Sequence, residues 1–78
     1  MTTAERIEID PNIMLGKPLI RGTRVTVELI LLKLAQGATA ADLVDAYPNL
    51  TEEDIHAALA FGADVVAREE AAPPKNQA

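Results

Sequence analysis

The sequence predicts a mainly α-helical domain in which a short β-strand or hairpin segment precedes three helices. Apolar residues recur at three- and four-residue steps through the later part of the chain, as they do in helices packed on one side. A threonine precedes each of three such stretches, where it can cap a helix. Near residue 7, by contrast, apolar and polar residues alternate, which is typical of a half-buried strand.

The length of 78 residues indicates one domain. We predict a single domain at 1–70, with a β segment at 6–27, helices at about 27–36, 40–47 and 52–69, and a disordered tail at 71–78. The tail contains two prolines and no apolar anchor, which favours disorder.

The β segment is predicted to contain two strands and a turn. Residues 6–10 form the first strand, and residues 18–20 form a second. Gly22 can take a positive φ in a tight turn, after which residues 24–27 return as the other arm of a hairpin. Between the strands, Asp10-Pro11-Asn12 is typical of an Asx turn, and a ligand corner for a cation is the alternative.

Each predicted helix has its own start signal. Thr26 can cap the first helix, and Gly37 suits its C-terminal end. The second helix begins after Thr39 in "TAAD" and the third after Thr51 in "TEED". Both tetrapeptides have the spacing of a capping box, in which the acid bonds back to the residue that caps the helix.

The first helix is apolar around nearly its whole circumference, which predicts burial on all sides. A chain this small buries only about 60% of the surface it exposes when unfolded, although 49% of its residues are hydrophobic. We therefore predict a homodimer or a higher oligomer. The expected interface consists of Ile7, Ile9, Leu29, Ile30 and Leu32.

The third helix has the clearest periodicity. Its predicted core stripe consists of Ile55, Ala58, Leu59, Gly62 and Val66. Phe61 and Val65 lie beside this stripe. They either complete the core or form an apolar groove flanked by Asp54 and Asp64, because the sequence does not fix the rotation of the helix.

Charge is distributed unevenly along the chain. The formal net charge is −5, yet the segment "GKPLIRGTRVTVE" contains Lys17, Arg21 and Arg24. These cations could clamp phosphates, or they could pair with acids of the same subunit. The candidate acids are Glu5, Glu8, Asp10 and Glu28. The strongly acidic remainder, from residue 38 onward, disfavours nonspecific DNA binding and suits a basic partner.

The spacing of a helix-turn-helix motif is present in the second helix, the break "YPNL" and the third helix. The first turn of a recognition helix normally faces bases and phosphates. Here that turn is Glu52-Glu53-Asp54, and phosphates would repel it. The helical topology is therefore expected without the usual docking.

Residue types argue against an enzyme. The chain has no serine and no cysteine, and His56 is its one histidine. Glu52 and His56 share a helix face. We interpret them as a solvated acid–histidine pair, because two ligands alone do not make a metal site. We predict no catalytic residues, no metal and no cofactor. The segment "MTTAERIEID" lacks an apolar signal core, and the longest apolar run is too short to span a bilayer, so we expect a cytoplasmic protein.

The segments "IDPNIMLGKPLIRGTRV" and "YPNLTEEDIHAAL" closely resemble the prokaryotic family called "domain of unknown function 433". The resemblance covers roughly residues 7–66, with Leu15 where the family's "GGKP" has a glycine. It implies a three-helix, homeodomain-like fold with a short N-terminal β segment. Members are often encoded beside a small PIN-like nuclease and are viewed as VapB-type antitoxins of toxin–antitoxin systems.

The resulting hypothesis is an antitoxin-like protein that binds and neutralises a PIN-like ribonuclease toxin, with possible repression of its own operon. The toxin would be contacted by Glu52, Glu53, Phe61, Asp64 and Val65. The alternative is a DNA-binding transcriptional regulator that uses Lys17, Arg21 and Arg24.

Overall fold

The computed structural model describes residues 3–69, so the predicted tail at 71–78 lies outside the described residues. The elements are α1 (Thr3–Arg6), β1 (Ile7–Glu8), a 3₁₀ turn (Met14–Gly16), β2 (Leu19–Ile20), α2 (Val27–Ala35), α3 (Ala40–Ala46) and α4 (Glu52–Glu69). The predicted fold class is confirmed: α2, α3 and α4 form a small helical bundle of helix-turn-helix type behind a short β segment. The single-turn helix α1 was not predicted.

The β segment differs from the prediction in its pairing. Strand β1 pairs antiparallel with β2, with Ile7 opposite Ile20. The expected hairpin between residues 18–20 and 24–27 is reduced to one bridge, from Leu19 to Thr26. The turn between them has Gly22 at a φ of +85°, as predicted. Pairing stops at Thr26 because the chain enters α2 at the next residue.

All three predicted helix starts are confirmed. The Thr26 hydroxyl caps α2 by accepting a backbone N–H bond at 3.0 Å. Thr39 and Asp42 form a reciprocal capping box at the start of α3, with bonds of 2.9 and 3.0 Å. Thr51 and Asp54 form the same motif at α4, with bonds of 3.0 and 3.2 Å. Each side chain satisfies backbone N–H groups that the first helical turn leaves unpaired.

The core is built from both the sheet and the helices. Its buried apolar side chains are Ile7, Leu19, Ile20, Val27, Ile30, Leu43, Leu50, Ile55, Ala57 and Ala58. Two residues of the predicted dimer interface, Ile7 and Ile30, therefore lie inside the subunit and are unavailable to a partner. Of the other three, Ile9 and Leu32 are exposed and Leu29 is half-buried.

Helix α4 is rotated relative to the predicted core stripe. Leu59 and Val66 are 45% and 66% exposed, so their assignment to the core is wrong. The buried side includes Asp54 and Ala57 instead. Between the two sides, Gly62 faces α2 so closely that an added Cβ would lie 2.9 Å from Cδ1 of Leu31.

None of the helices within residues 3–69 combines the length and apolar character needed to cross a bilayer.

Candidate interaction surfaces on helix α4

Helix α4 presents three faces, because successive residues are rotated by about 100°. The core face contains the buried residues Asp54, Ile55, Ala57 and Ala58. We call Glu53 and Asp64, with the adjoining Phe61, the acidic face. We call Leu59, Ala63, Val66 and Ala67 the apolar seam.

The acidic face contains three of the five predicted toxin contacts. Glu53 and Asp64 are exposed and lie on the same side of the helix, since eleven residues make just over three full turns. Oδ2 of Asp64 accepts from Nη2 of Arg68 at 2.9 Å, with both side chains well exposed, so water weakens this pairing.

The predicted contacts other than Glu53 and Asp64 differ in their exposure and in the side of the helix on which they lie. Phe61 is half-buried and packs against the core at the margin of the acidic face. Val65 is half-buried on the core side of Phe61. Glu52 is exposed, but it is turned toward the apolar seam. The structure therefore brings Glu53, Phe61 and Asp64 together and separates Glu52 from them.

Asp54 does not flank a surface groove, so the alternative in which Phe61 and Val65 form a groove between Asp54 and Asp64 is wrong. Asp54 is 6% exposed, and its Oδ1 accepts a 2.9 Å hydrogen bond from Nη1 of Arg6. Its Oδ2 accepts from the backbone N–H of Thr51. Of the three carboxylates in the first turn of α4, only Glu52 and Glu53 are exposed to solvent.

The apolar seam forms one wall of a shallow open groove, and Leu31 of α2 forms the other. Sequence reasoning missed this surface because it assigned Leu59 and Val66 to the core. The spacing of residues 59, 63 and 66 is a signal that could have identified it, since steps of four and three residues also characterise a helix–helix seam.

The basic segment, residues 16–28, contains Lys17, Arg21 and Arg24, and the first two of these cations have partners within the subunit. Nζ of Lys17 lies 3.0 Å from Oε1 of Glu28, and both side chains are exposed. Arg21 donates from Nε to the carbonyl oxygen of Glu5 at 2.9 Å and from Nη2 to that of Ile7 at 3.4 Å. Arg24 is exposed and has no hydrogen bond or ion pair with another described residue.

The loop before β2 has an unusual backbone. Asp10 accepts a 2.9 Å bond from the N–H of Asn12, which confirms the predicted Asx turn. Met14, Leu15 and Gly16 then follow with φ angles of +50°, +59° and +79°. The left-handed region is costly for residues other than glycine, and the side chain of Leu15 is directed outward, 92% exposed.

A second hollow lies between α3 and α4, where Val44, Asp45 and Glu52 are among its lining residues. His56, one helical turn after Glu52, is exposed. Within residues 3–69, no group of three or more histidine, cysteine, aspartate or glutamate residues is close enough together to hold a metal ion. The predicted lack of cofactors stays a prediction.

The fold defines a class of small three-helix domains with a short β lead-in. Residues 7–62 match the family model described as "Protein of unknown function (DUF433)", and the chain belongs to that family. It is also similar to the crystal structure of a DUF433 member protein from Anabaena variabilis ATCC 29413, with 35% identity and a TM-score of 0.71. That similarity covers 85% of this chain and 68% of the other. A search of curated proteins gave no match.

Proposed function

We propose that the chain is an antitoxin-like interaction protein that binds a PIN-like ribonuclease toxin and neutralises it, as the family resemblance implies. The observation that carries this proposal is the acidic face of α4. Glu53 and Asp64 are exposed on one side of the helix beside the half-buried ring of Phe61. A nuclease that binds RNA has a basic substrate groove, and this face is complementary to it in charge.

The acidic face would act by competing with RNA phosphates. Carboxylates steer the encounter with a basic groove and fix the register of docking. The exposed part of Phe61 then supplies an aromatic contact, and aromatic residues are frequent energetic centres of protein interfaces. Neutralisation follows because the occupied groove no longer admits substrate. The proposed site of action is the cytoplasm.

Co-expression with a PIN-like nuclease, which the family resemblance places in the neighbouring gene, tests this proposal. We expect the wild-type chain to restore growth and to co-purify with the nuclease. The double variant Glu53→Lys, Asp64→Lys should lose both effects, because it reverses the charge of the acidic face.

The control is Asp45→Lys, which reverses the charge of an exposed acid on α3. It should retain binding and growth rescue. If the double variant binds like wild type, or if the control loses as much, the acidic face does not recognise the nuclease.

A second proposed role is operator binding through the basic segment, which would allow the chain to repress its own operon. The observation that favours it is Arg24, an exposed cation with no partner among the described residues. Lys17 and Arg21 have intramolecular partners, so we assign the leading phosphate contact to Arg24.

Gel-shift titration with the upstream promoter tests this second role. Each phosphate contact contributes about 0.9 to the slope of log affinity against log salt concentration. Arg24→Ala should lower the slope by about that amount, whereas Lys33→Ala on α2 should not change it. An equal slope for wild type and Arg24→Ala would remove the basic segment from DNA recognition.

A further inference from the structure

We propose that the loop 21–24 is a clamp for a single phosphate group, which Arg21 and Arg24 hold from its two ends, and that it prefers a terminal phosphate monoester. The clamp rests on the second proposed role, which places phosphate contacts in the same basic segment. It goes further by naming the chemical group that this segment holds and by giving Arg21 a part in holding it.

Arg21 is anchored within the subunit without being neutralised. Its Nε donates to the carbonyl oxygen of Glu5 at 2.9 Å and its Nη2 donates to that of Ile7 at 3.4 Å, and both acceptors are uncharged. These two bonds orient the guanidinium, while Nη1 has no partner among the described residues. A hydrogen bond to an anion is roughly twice as strong as one to a neutral acceptor, so Arg21 retains the capacity to bind a phosphate oxygen.

Arg24 adds a second positive charge at the other end of the same loop. The backbone N–H of Ile20 donates to the carbonyl oxygen of Val25 at 2.9 Å, so the loop 21–24 joins two paired positions. The Cα atoms at the ends of so short a turn are about 7 Å apart or less. None of the ion pairs among the described residues includes Arg21 or Arg24. The two cations therefore repel each other, and an anion held between them relieves that repulsion.

The backbone of the loop supplies further donors. Gly22 has a φ of +85°, and a Cβ added to it would meet no atom within 4 Å, so the loop is open on that side. The backbone N–H groups of Gly22 and Arg24 donate to no oxygen of another described residue. Unpaired N–H groups of a turn are a recurrent feature of anion sites, and glycine permits close approach of a ligand to the backbone.

Glu28 restricts the site to one phosphate. Nζ of Lys17 lies 3.0 Å from Oε1 of Glu28, so the third cation of the basic segment already has a carboxylate partner. Two guanidinium charges match a phosphate monoester, which carries about −1.5 to −2 at neutral pH, better than a phosphodiester with its single negative charge. The clamp accepts the phosphodiesters of a DNA strand more weakly, as the second proposed role requires.

Titration with methyl phosphate and with dimethyl phosphate at constant ionic strength, followed by nitrogen-15 NMR, tests the clamp. Methyl phosphate should cause saturable shifts of the backbone N–H signals of Gly22 and Arg24 and of the Nε signal of Arg21. Dimethyl phosphate should bind at least about fivefold more weakly, because it carries less charge. Equal affinities for the two compounds, or no saturable shift at these groups, would overturn the proposal.

Variants of Arg24 test its part in the clamp. Arg24→Gln should weaken the binding of methyl phosphate about tenfold, because it removes a charged donor. Arg24→Lys keeps the charge without the planar fork of donors and should recover part of that loss.

The matched control is Lys33→Gln, which removes one positive charge from α2 and should bind methyl phosphate like wild type. Circular dichroism establishes that every variant is folded. Unchanged binding by Arg24→Gln, or an equal loss in the control, would show that the loop does not hold the phosphate.

The source of the monoester is distinguished by adenosine 5′-monophosphate and by a short single strand prepared with a 5′-phosphate or a 5′-hydroxyl group. Both phosphorylated ligands should bind more tightly than the hydroxyl strand, and no difference would overturn the preference for a terminal phosphate. Tighter binding of the phosphorylated strand than of the nucleotide would support a strand end as the ligand, and equal binding would support recognition of the phosphate group alone.

The clamp and the second proposed role can fail separately. Operator binding in the gel shift without methyl phosphate binding would overturn the clamp and retain that role. Methyl phosphate binding that depends on Arg24, without operator binding, would support the clamp and remove that role.

Discussion

Arg6 and Asp54 form an ion pair of 2.9 Å across 48 positions of sequence, and this pair joins the N-terminal segment to the start of α4. Asp54 also accepts from the backbone N–H of Thr51 and thereby completes a capping box. One carboxylate therefore stabilises the helix start and sets the side of α4 that faces inward. The acidic face on which the proposed function rests follows from that rotation.

Replacing Asp54 by alanine should lower the free energy of unfolding by about 2–3 kcal/mol, because it removes a cap contact and a mostly buried charge partner. The matched control is Asp42→Ala, which breaks the same motif at α3 where the acid is exposed. Urea unfolding should show a smaller loss for the control. Equal losses would mean that the pairing with Arg6 contributes nothing.

Helix α3 should lose stability as the pH falls below the ordinary pKa of an aspartate. Hydrogen bonds from the backbone N–H and then the hydroxyl of Thr39 hold the pKa of Asp42 below its usual value. A lowered folded pKa means that this stabilisation is complete above the unfolded pKa and is lost as pH falls through the folded pKa. Thr39→Ala keeps the backbone N–H and removes the hydroxyl, so carbon-13 NMR titration should give a higher Asp42 pKa in this variant. An unchanged pKa would contradict the contribution of the hydroxyl.

Leu15→Gly should stabilise the protein by about 0.5–1 kcal/mol, because glycine adopts a φ of +59° without the steric cost that leucine has there. The comparison variant is Leu32→Gly, which changes an exposed leucine inside α2. It should lower stability by about 1 kcal/mol through helix propensity. The unfolding temperatures of the two variants should therefore shift in opposite directions. A lower unfolding temperature for Leu15→Gly would show that the leucine side chain makes a contact that stabilises the protein by more than the backbone strain destabilises it.

Gly62 and Gly37 should respond differently to alanine. Gly62 lies within α4, where alanine improves helix propensity by about 1 kcal/mol and the new Cβ meets only the flexible end of Leu31. We expect the Gly62→Ala variant to be within about 1 kcal/mol of wild type. Gly37 has a φ of +106°, so Gly37→Ala should destabilise by about 1–2 kcal/mol. The denaturant midpoints of the two variants measure both changes in stability. A large loss of stability in Gly62→Ala with none in Gly37→Ala would contradict these predictions.

The helices could be predicted because their signals are local. Thr26, Thr39 and Thr51 each precede a periodic stretch and each caps a helix. The reciprocal bonds of both capping boxes depend on residues three apart. These contacts form within one turn, so the sequence determines them without tertiary information.

The rotation of α4 could not be predicted because it depends on a distant residue. Periodicity favours apolar side chains in the core and therefore selected Leu59 and Val66. The ion pair with Arg6 instead makes Asp54 compatible with burial, and the core face turns toward it. The strand pairing has the same origin, since the partner of β2 is β1 rather than the adjacent segment.

The exposed site residues were predictable only in part. Glu53 and Asp64 were identified from charge and spacing, and both are exposed. Leu15 was noted as a departure from the family's glycine, but its positive φ becomes visible only in the folded loop. The apolar seam was missed because its residue types are those of a core.

Recognition of the nuclease by the acidic face of α4 is the central claim, and it is tested most directly by the mass of the complex that is purified after co-expression with a PIN-like nuclease. Light scattering should show the wild-type chain bound to the nuclease. The folded Glu53→Lys, Asp64→Lys variant should be recovered without the nuclease. A complex of unchanged mass for that variant would contradict the claim.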